Sequence, residues 1–241
     1  MNIASPVCVN ADTEFACFAA RGWLAQTNKL VRNRIIDAGR KISVGRGERL
    51  FSVGAEPGGI YGIITGGVGA EACSASHTPR LGHVLRPGHW FGHGPLLHGG
   101  HRTMGFFATE DSALLTVSLE DVRKLIRDEP EIAGLVGRMA NMSAELAISV
   151  VCDLLIPQAP RRIAAVLIRV TGANEGVEPS NPMGFHLTQF DISDMANVSR
   201  LYVNRVLSQF VKAGWIAKSY GHLRLLDVKA LGEFAYLGDE E

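Results

Sequence analysis

Residues 199–210, SRLYVNRVLSQF, hold the residue types best suited to reading another molecule. At helical spacing Val203, Val206, Leu207 and Phe210 make one apolar stripe (i, i+3, i+4, i+7), and Arg200, Leu201, Asn204, Arg205 and Ser208 fall on the opposite face. A guanidinium can donate two hydrogen bonds to guanine O6 and N7, and an Asn amide can pair with adenine N6 and N7, so this outer face carries the chemistry of major-groove readout. Thr188 and Asp191 form a T-x-x-D start signal for a preceding short helix, and Ser199 is a second N-cap. Between them Asn197 stands where a tight corner needs a left-handed residue. Two short helices joined in this way, the second with a polar and basic leading face, form a helix-turn-helix. Thr188 and Ser199 then sit at helix N-termini, which favour phosphate contacts. The following IAKSYGHLRLLD reads as a hairpin with its tip at Tyr220-Gly221-His222, a small wing presenting Lys218, His222 and Arg224. An αα-corner inside a core would use the same two helices, but it would not leave Arg200, Asn204 and Arg205 outward.

Charge supports a local interface. Lys plus Arg and Asp plus Glu are 24 each, so the chain has no global basic excess. From residue 200 to 224, however, Arg200, Arg205, Lys212, Lys218 and Arg224 occur with no acidic residue among them.

Other chemistries find less support. Six of the eight histidines lie between His77 and His101, but His83, His89, His93, His98 and His101 follow no ligand spacing, so solvated imidazoles and no metal site are expected. Cys8, Cys17, Cys73 and Cys152 show no C-x-x-C pair. No nucleophile stands beside a base, no carboxylates are paired and no G-x-x-x-x-G-K loop occurs, which argues against an enzyme. The N-terminal MNIASPVCVNADTEF lacks a basic segment before a long apolar run, and no stretch is expected to approach the length of a membrane span, so a cytoplasmic protein with reduced thiols and no membrane partner is expected.

The positioning elements divide the chain into three parts. Residues 1–130 open with two helical segments between Asp12 and Ala38, stopped by Gly39. They continue into a glycine-punctuated series of short β runs (ISV, RLFSV, GIYGIIT, LGHVL, WFG, TMGFFA, ALLTVS). Sixteen of the 27 glycines lie between Gly45 and Gly105, which marks this region as an antiparallel roll of jelly-roll type, the sensor domain. Ser118 and Asp121 open a further helix that Pro130 interrupts. Residues 131–157 form one long helix and a hinge. Its apolar seam, Ile132, Leu135, Met139, Met142, Leu146 and Ser149, either packs on its own domain or pairs with its twin; a parallel homodimer through Leu135, Met139, Met142, Leu146 and Ser149 is the expectation. Residues 158–241 form the winged helix-turn-helix domain, entered through RRIAAVLIRVTG and a polar ANEGVEPSNPMG linker. The fold class is α+β.

This order, with GERLFSVGAEPGGIYGIITGGV, RPGHWFGHGPLLHGGHRT, RRIAAVLI and LTQFDISDMANVSRLYVNRVLSQFVKAGWI, resembles the Crp/Fnr superfamily of bacterial transcription regulators over about residues 40 to 228. The resemblance implies a homodimer on a double-stranded DNA operator, with RNA polymerase as a partner. Cyclic-nucleotide-binding members hold the cyclic phosphate through backbone N–H groups and an Arg, while the Glu of an F-G-E triplet accepts a ribose hydroxyl. Here Phe91-Gly92-His93 stands for the triplet and Arg102-Thr103 for the Arg-Ser/Thr pair, so Gly92, His93, Arg102 and Thr103 are the implied effector pocket. The phosphate half is kept and the sugar half is not, because a protonated imidazole only donates. Ala147 and Ile148 stand where base-contacting residues would be and carry no hydroxyl. No certain cofactor follows; the implied effector is a small anionic or nucleotide-like molecule other than cyclic AMP bound in the usual way. Cys8, Cys17 and Cys73 do not match the iron–sulfur cluster of the oxygen-sensing branch. In the recognition helix, Arg200 and Arg205 match the two basic family positions, Leu201 departs from the acidic one, and Asn204 is an added base reader. The competing reading is a small-molecule sensor that acts through protein partners and has a vestigial DNA-binding domain.

Overall fold

A computed structural model describes residues 14–72, 78–173, 184–219 and 221–237. The expected helical start becomes a short helix α1 (Ala16–Ala20), a 3-10 turn (Trp23–Gln26) and α2 (Lys29–Asp37), the last capped by the Asn28 side chain. Gly22 makes the break. Its φ is 80°, and a Cβ there would lie 2.4 Å from the carbonyl oxygen of Gly88. Phe18, Trp23, Leu24, Val31 and Ile35 bury themselves with Trp90 of the roll.

The roll has two four-stranded antiparallel sheets. Strands β1 (Arg40–Val44), β8 (Ser112–Ser118), β3 (Gly59–Thr65) and β6 (Trp90–Phe91) lie in that order in one sheet. In the other the order is β2 (Arg49–Phe51), β7 (Gly105–Ala108), β4 (Val68–Ala72) and β5 (Arg80–Leu85). Ile63, Val68, Leu85, Phe91, Phe106 and Leu114 fill the space between the sheets. Two elements here have no counterpart in the sequence reading. Strand β4, VGAEA, has little β-branched character, yet Gly69 belongs there because a Cβ would lie 2.7 Å from the Phe107 ring. Helix α3 (Gly94–His98) is a single turn with Pro95 in its first turn, closed by Gly99 at φ 72°. The stretches containing Cys8, Cys73 and His77, and most of the linker before the C-terminal domain, lie outside the described residues.

Helix α4 (Leu119–Asp128) starts at Ser118, whose hydroxyl accepts the Asp121 N–H, and α5 (Glu131–Leu155) follows Pro130. The orientation of α5 corrects the expected seam. Ile132, Leu135 and Met139 are buried against their own roll and N-terminal helices, with Met142 and Leu146 half-buried beside them. The face left outward is Gly134, Gly137, Asn141, Ala144, Ile148, Val151 and Leu155, spaced three and four apart. Both faces of α5 are apolar, and the larger side chains drew the sequence reading to the inward one. A second correction concerns length: α5 is long and apolar enough to cross a membrane by those criteria alone, although one face is packed on the roll.

In the C-terminal part, α6 (Ala159–Thr171) is buried throughout from Ile163 to Thr171. Around it lie α7 (Gln189–Ala196), α8 (Arg200–Lys212), the hairpin β10 (Ile216–Ser219) and β11 (His222–Leu225), and α9 (Val228–Tyr236). A two-residue strand β9 (Phe185–His186) pairs with β11 and makes the wing three-stranded, which two residues after a linker did not signal. Tyr220 of the expected hairpin tip lies outside the described residues. The two folded parts share a core: Leu81 and Val84 of β5 belong to the same buried cluster as α6, α7 and α8.

Candidate nucleic-acid interface and roll cavity

The helix-turn-helix is held by local caps. Thr188 Oγ1 accepts the Asp191 N–H at 3.1 Å while Asp191 Oδ2 accepts the Thr188 N–H at 2.8 Å, a reciprocal pair that starts α7. Asn197, at φ 50° and ψ 55°, turns the chain, and the Ser199 hydroxyl accepts the Tyr202 N–H at 3.3 Å to start α8. Val203, Val206, Leu207 and Phe210 anchor α8 inside the domain. Arg200, Leu201, Asn204, Arg205 and Ser208 all stand exposed on its outer face, Leu201 at 85 %. Two of these polar groups are already engaged within the protein. Asn204 Oδ1 accepts from Gln189 Nε2 at 2.9 Å, and the Ser208 hydroxyl donates to the Asn204 carbonyl at 2.8 Å. Gln189 was missed from sequence; its place in the first turn of α7 braces the Asn204 amide.

Beside α8, a cleft of about 670 Å³ opens toward the wing and brings together Arg200, Lys218, His222 and Thr188. Arg46, from the turn after β1, and the 63 % exposed Phe190 join it, neither of which the sequence pattern suggested. The His186 and His222 rings meet edge to face at 5.5 Å, and burial, then the nearby Arg46 charge, pushes the His186 pKa down. Cationic and amide groups concentrated on an outward helix and an adjacent wing can bind a polyanion and contact base edges.

The second group of residues lines a cavity of about 290 Å³ in the roll, closed on one side by α5. Gly92, His93, Arg102 and Thr103 all border it, together with Ala147; Ile148 instead points outward, 61 % exposed. Arg102 is only 3 % exposed. Its Nη1 donates to the Gly92 carbonyl and its Nη2 to the Gly59 carbonyl at 2.7 Å, and the guanidinium lies 4.1 Å over the Phe51 ring. Gly92, at φ 86°, has to be glycine, since a Cβ would come within 3.0 Å of Arg102 Nη1 and of the Gly59 carbonyl. Arg102 Nε and His93 Nδ1 are buried without a hydrogen-bond partner. Burial lowers both pKa values, and for His93 the Arg102 charge adds to it.

A third constellation joins the two regions. His83 of β5 lies in the cavity wall, and its Nδ1 sits 2.7 Å from Nη1 of Arg169 on α6. Arg169 Nε donates to Asp153 Oδ2 of α5 at 2.6 Å, in a pair almost wholly buried. Because guanidinium only donates, His83 Nδ1 must be the acceptor, which requires a neutral ring; burial and then Arg169 hold the His83 pKa well below its ordinary value. The Tyr236 hydroxyl reaches Asp153 at 3.5 Å, and burial, then that carboxylate, pushes its pKa up to about 12. Nearby, Arg86 donates to the Val170 carbonyl at 3.0 Å and pairs with Glu110 at 2.6 Å, and Arg80 pairs with Asp194 of α7 at 2.6 Å. These contacts were missed; the available signal was Asp153, Arg86 and Arg169 standing inside apolar runs. Among the described residues no cluster of three or more His, Cys, Asp or Glu is arranged to hold a metal.

An antiparallel roll with a half-open cavity, a long connecting helix and a winged helix-turn-helix make up the described architecture. Two family profiles match the chain, a cyclic nucleotide-binding domain over residues 41–129 and a Crp-like helix-turn-helix domain over residues 161–234. The chain is 27 % identical over 175 residues to a CRP-like cAMP-activated global transcriptional regulator of Mycobacterium tuberculosis, covering 71 % of this chain and 77 % of that protein. It is 28 % identical over 193 residues to the cyclic AMP receptor protein of Thermus thermophilus, covering 79 % and 86 %. In fold it is similar to FixK2 from Bradyrhizobium japonicum, with a TM-score of 0.69 at 18 % identity, covering 81 % of this chain and 96 % of that one. The chain belongs to the Crp/Fnr superfamily of transcription regulators.

Proposed function

We propose that the chain is a homodimeric, cytoplasmic regulator that binds a pseudo-palindromic operator sequence-specifically and is gated by a small molecule in its roll. The observation that carries the DNA reading is α8: its apolar stripe is wholly buried while Arg200, Leu201, Asn204 and Arg205 stand outward beside the cationic wing cleft. Arg200 and Arg205 would donate to guanine, Asn204 would read adenine, and Leu201 would meet a thymine methyl. Lys218, His222 and the N-terminal turns at Thr188 and Ser199 would fix the frame on phosphates, with Ser208 at the edge of the contact.

For the dimer, the outward seam of α5 is the fitting surface. Small residues at Gly134, Gly137 and Ala144 let two helices approach closely, and Ile148, Val151 and Leu155 supply apolar knobs. Two half-sites would lie about 34 Å apart, and RNA polymerase would be the partner through which transcription responds. Gating is supported by His83, which touches both the cavity and Arg169 of the C-terminal domain, so that an occupant favouring one placement of His83 would shift the balance between domain arrangements. The relatives' names describe cyclic AMP, but this cavity offers the sugar no carboxylate among its described lining residues.

The test is sedimentation of the purified protein together with a competition titration on DNA at fixed salt. A dimer whose operator binding survives excess nonspecific DNA supports the reading; binding that any duplex competes away equally, with a steep salt dependence, overturns it.

A further inference from the structure

The cavity also bears on what kind of effector could occupy it. Among its described lining residues there is no Asp, Glu, Asn or Gln; the polar side chains are His83, His93, Arg102, Thr103 and Ser143. A sugar or purine there would find no side-chain carboxylate or amide to accept from its hydroxyl or amino groups, only the neutral Thr103 and Ser143 hydroxyls among the described oxygen-bearing side chains. The remaining wall is aromatic and aliphatic, with Trp90, Phe91, Phe106, Leu146 and Val150 prominent. At about 290 Å³ the space lies at the small end of ligand pockets, which start at roughly 300 Å³.

One charge is left without a counter-ion. Arg102 is 3 % exposed, and among the described residues no carboxylate pairs with it; its partners are two backbone carbonyls and the Phe51 and Tyr61 side chains. Those contacts hold the guanidinium rigidly at the cavity edge and leave Nε without an acceptor, while His93 Nδ1 is likewise buried and unpartnered. A buried cation is costly until an anion reaches it. Among the described lining residues Arg102 is the side chain that carries a fixed positive charge, which suits a small anion, and the apolar wall suits what that anion is attached to.

We propose that the roll cavity binds a small, largely apolar monocarboxylate, its carboxylate beside Arg102 and His93 and its hydrocarbon against the aromatic wall and the inner face of α5. The proposal rests on the reading of the roll as an effector site and names the ligand class of that site. The tail would press on Leu146 and Val150, on the half-buried side of α5 away from its outward seam, with Ala147 at the exposed rim.

Calorimetry and thermal unfolding of the full-length protein with octanoate, phenylacetate, octanol and cyclic AMP test it without DNA. At least one of the two carboxylates is expected to bind and raise the midpoint, with octanol weaker by about tenfold or more because it lacks the charge-assisted contact. Cyclic AMP is expected to bind more weakly than the carboxylate. Arg102→Met should erase the preference for the acid over the alcohol. Ala147→Phe, an exposed position on the cavity rim, should block binding while the fold stays intact, which keeps the test valid if the Arg102 variant unfolds. Neither carboxylate binding, cyclic AMP binding more tightly, or carboxylate binding unchanged in Ala147→Phe would overturn the proposal. Operator binding by the unliganded protein is measured separately. Loss of the ligand class with specific DNA binding intact is thus distinguishable from loss of the regulator reading itself.

Discussion

Arginine serves the C-terminal domain and the roll in opposite ways. Arg200 and Arg205 project from α8 into solvent, where holding a charge costs little and the donors remain available to an incoming partner. Arg102, Arg86 and Arg169 are almost fully buried, and each is tied to carbonyls, a carboxylate or an aromatic face. Removing an exposed arginine should therefore alter recognition and leave stability alone. Removing a buried one strips a partner from groups that cannot reach water, so the fold itself should register the loss.

The sharpest way to break that contrast is Arg169→Met. It would leave the Asp153 carboxylate buried with only Tyr236 nearby, and a loss of about 3–5 kcal/mol in urea unfolding is expected. A stability equal to wild type would show that the junction between α5, α6 and the roll does not depend on this pair.

The exposed counterpart follows. Arg200→Ala or Arg205→Ala should weaken discrimination at one base position by about 1–3 kcal/mol in competition binding, with unfolding unchanged within about 0.5 kcal/mol. A variant that loses stability and keeps its operator preference would reverse the assignment of the two faces.

A smaller effect comes from pH. The folded pKa of His83 lies well below the ordinary value of 6.5, so below that value the unfolded chain binds a proton that the folded chain refuses. The stability contribution is complete above about pH 6.5 and declines as pH falls toward the folded pKa, by up to about 1.4 kcal/mol per pH unit. His93 and His186, also lowered, act in the same direction. His83→Gln retains an acceptor for Arg169, and chemical unfolding between pH 7 and 5 should show a shallower slope for this variant. An unchanged slope would remove His83 from the account.

The smallest effect is at the caps. Thr188→Ala should cost about 1 kcal/mol, and Asn197→Gly should be nearly neutral, since either residue accepts the left-handed corner. Thermal unfolding of the two variants side by side checks the pair. A costly Asn197→Gly would mean that the Asn side chain, and not the backbone turn, is what the corner needs.

The same contrast explains what could be read in advance. The caps at Thr188, Ser118 and Ser199, the corner at Asn197 and the span of α5 were legible because each is settled by residues a few positions apart. The outer face of α8 was legible because its stripe has a clean period. The orientation of α5 was not, since Leu135 and Met139 on one face and Ile148 and Val151 on the other both satisfy an apolar pattern, and only the roll decides which is covered. Strands β4 and β9 were hidden by small residues and shortness. The contact of Arg169 with His83 spans 86 positions, beyond anything that local pattern carries.

Selection of bound sequences from a random duplex pool, repeated with Arg205→Ala, tests the central claim most directly. The account predicts enrichment of a pseudo-palindrome with half-sites about one helical turn apart, and relaxation of a single guanine position in each half-site for the variant. A pool that stays random, or an enriched site unchanged by Arg205→Ala, would contradict it.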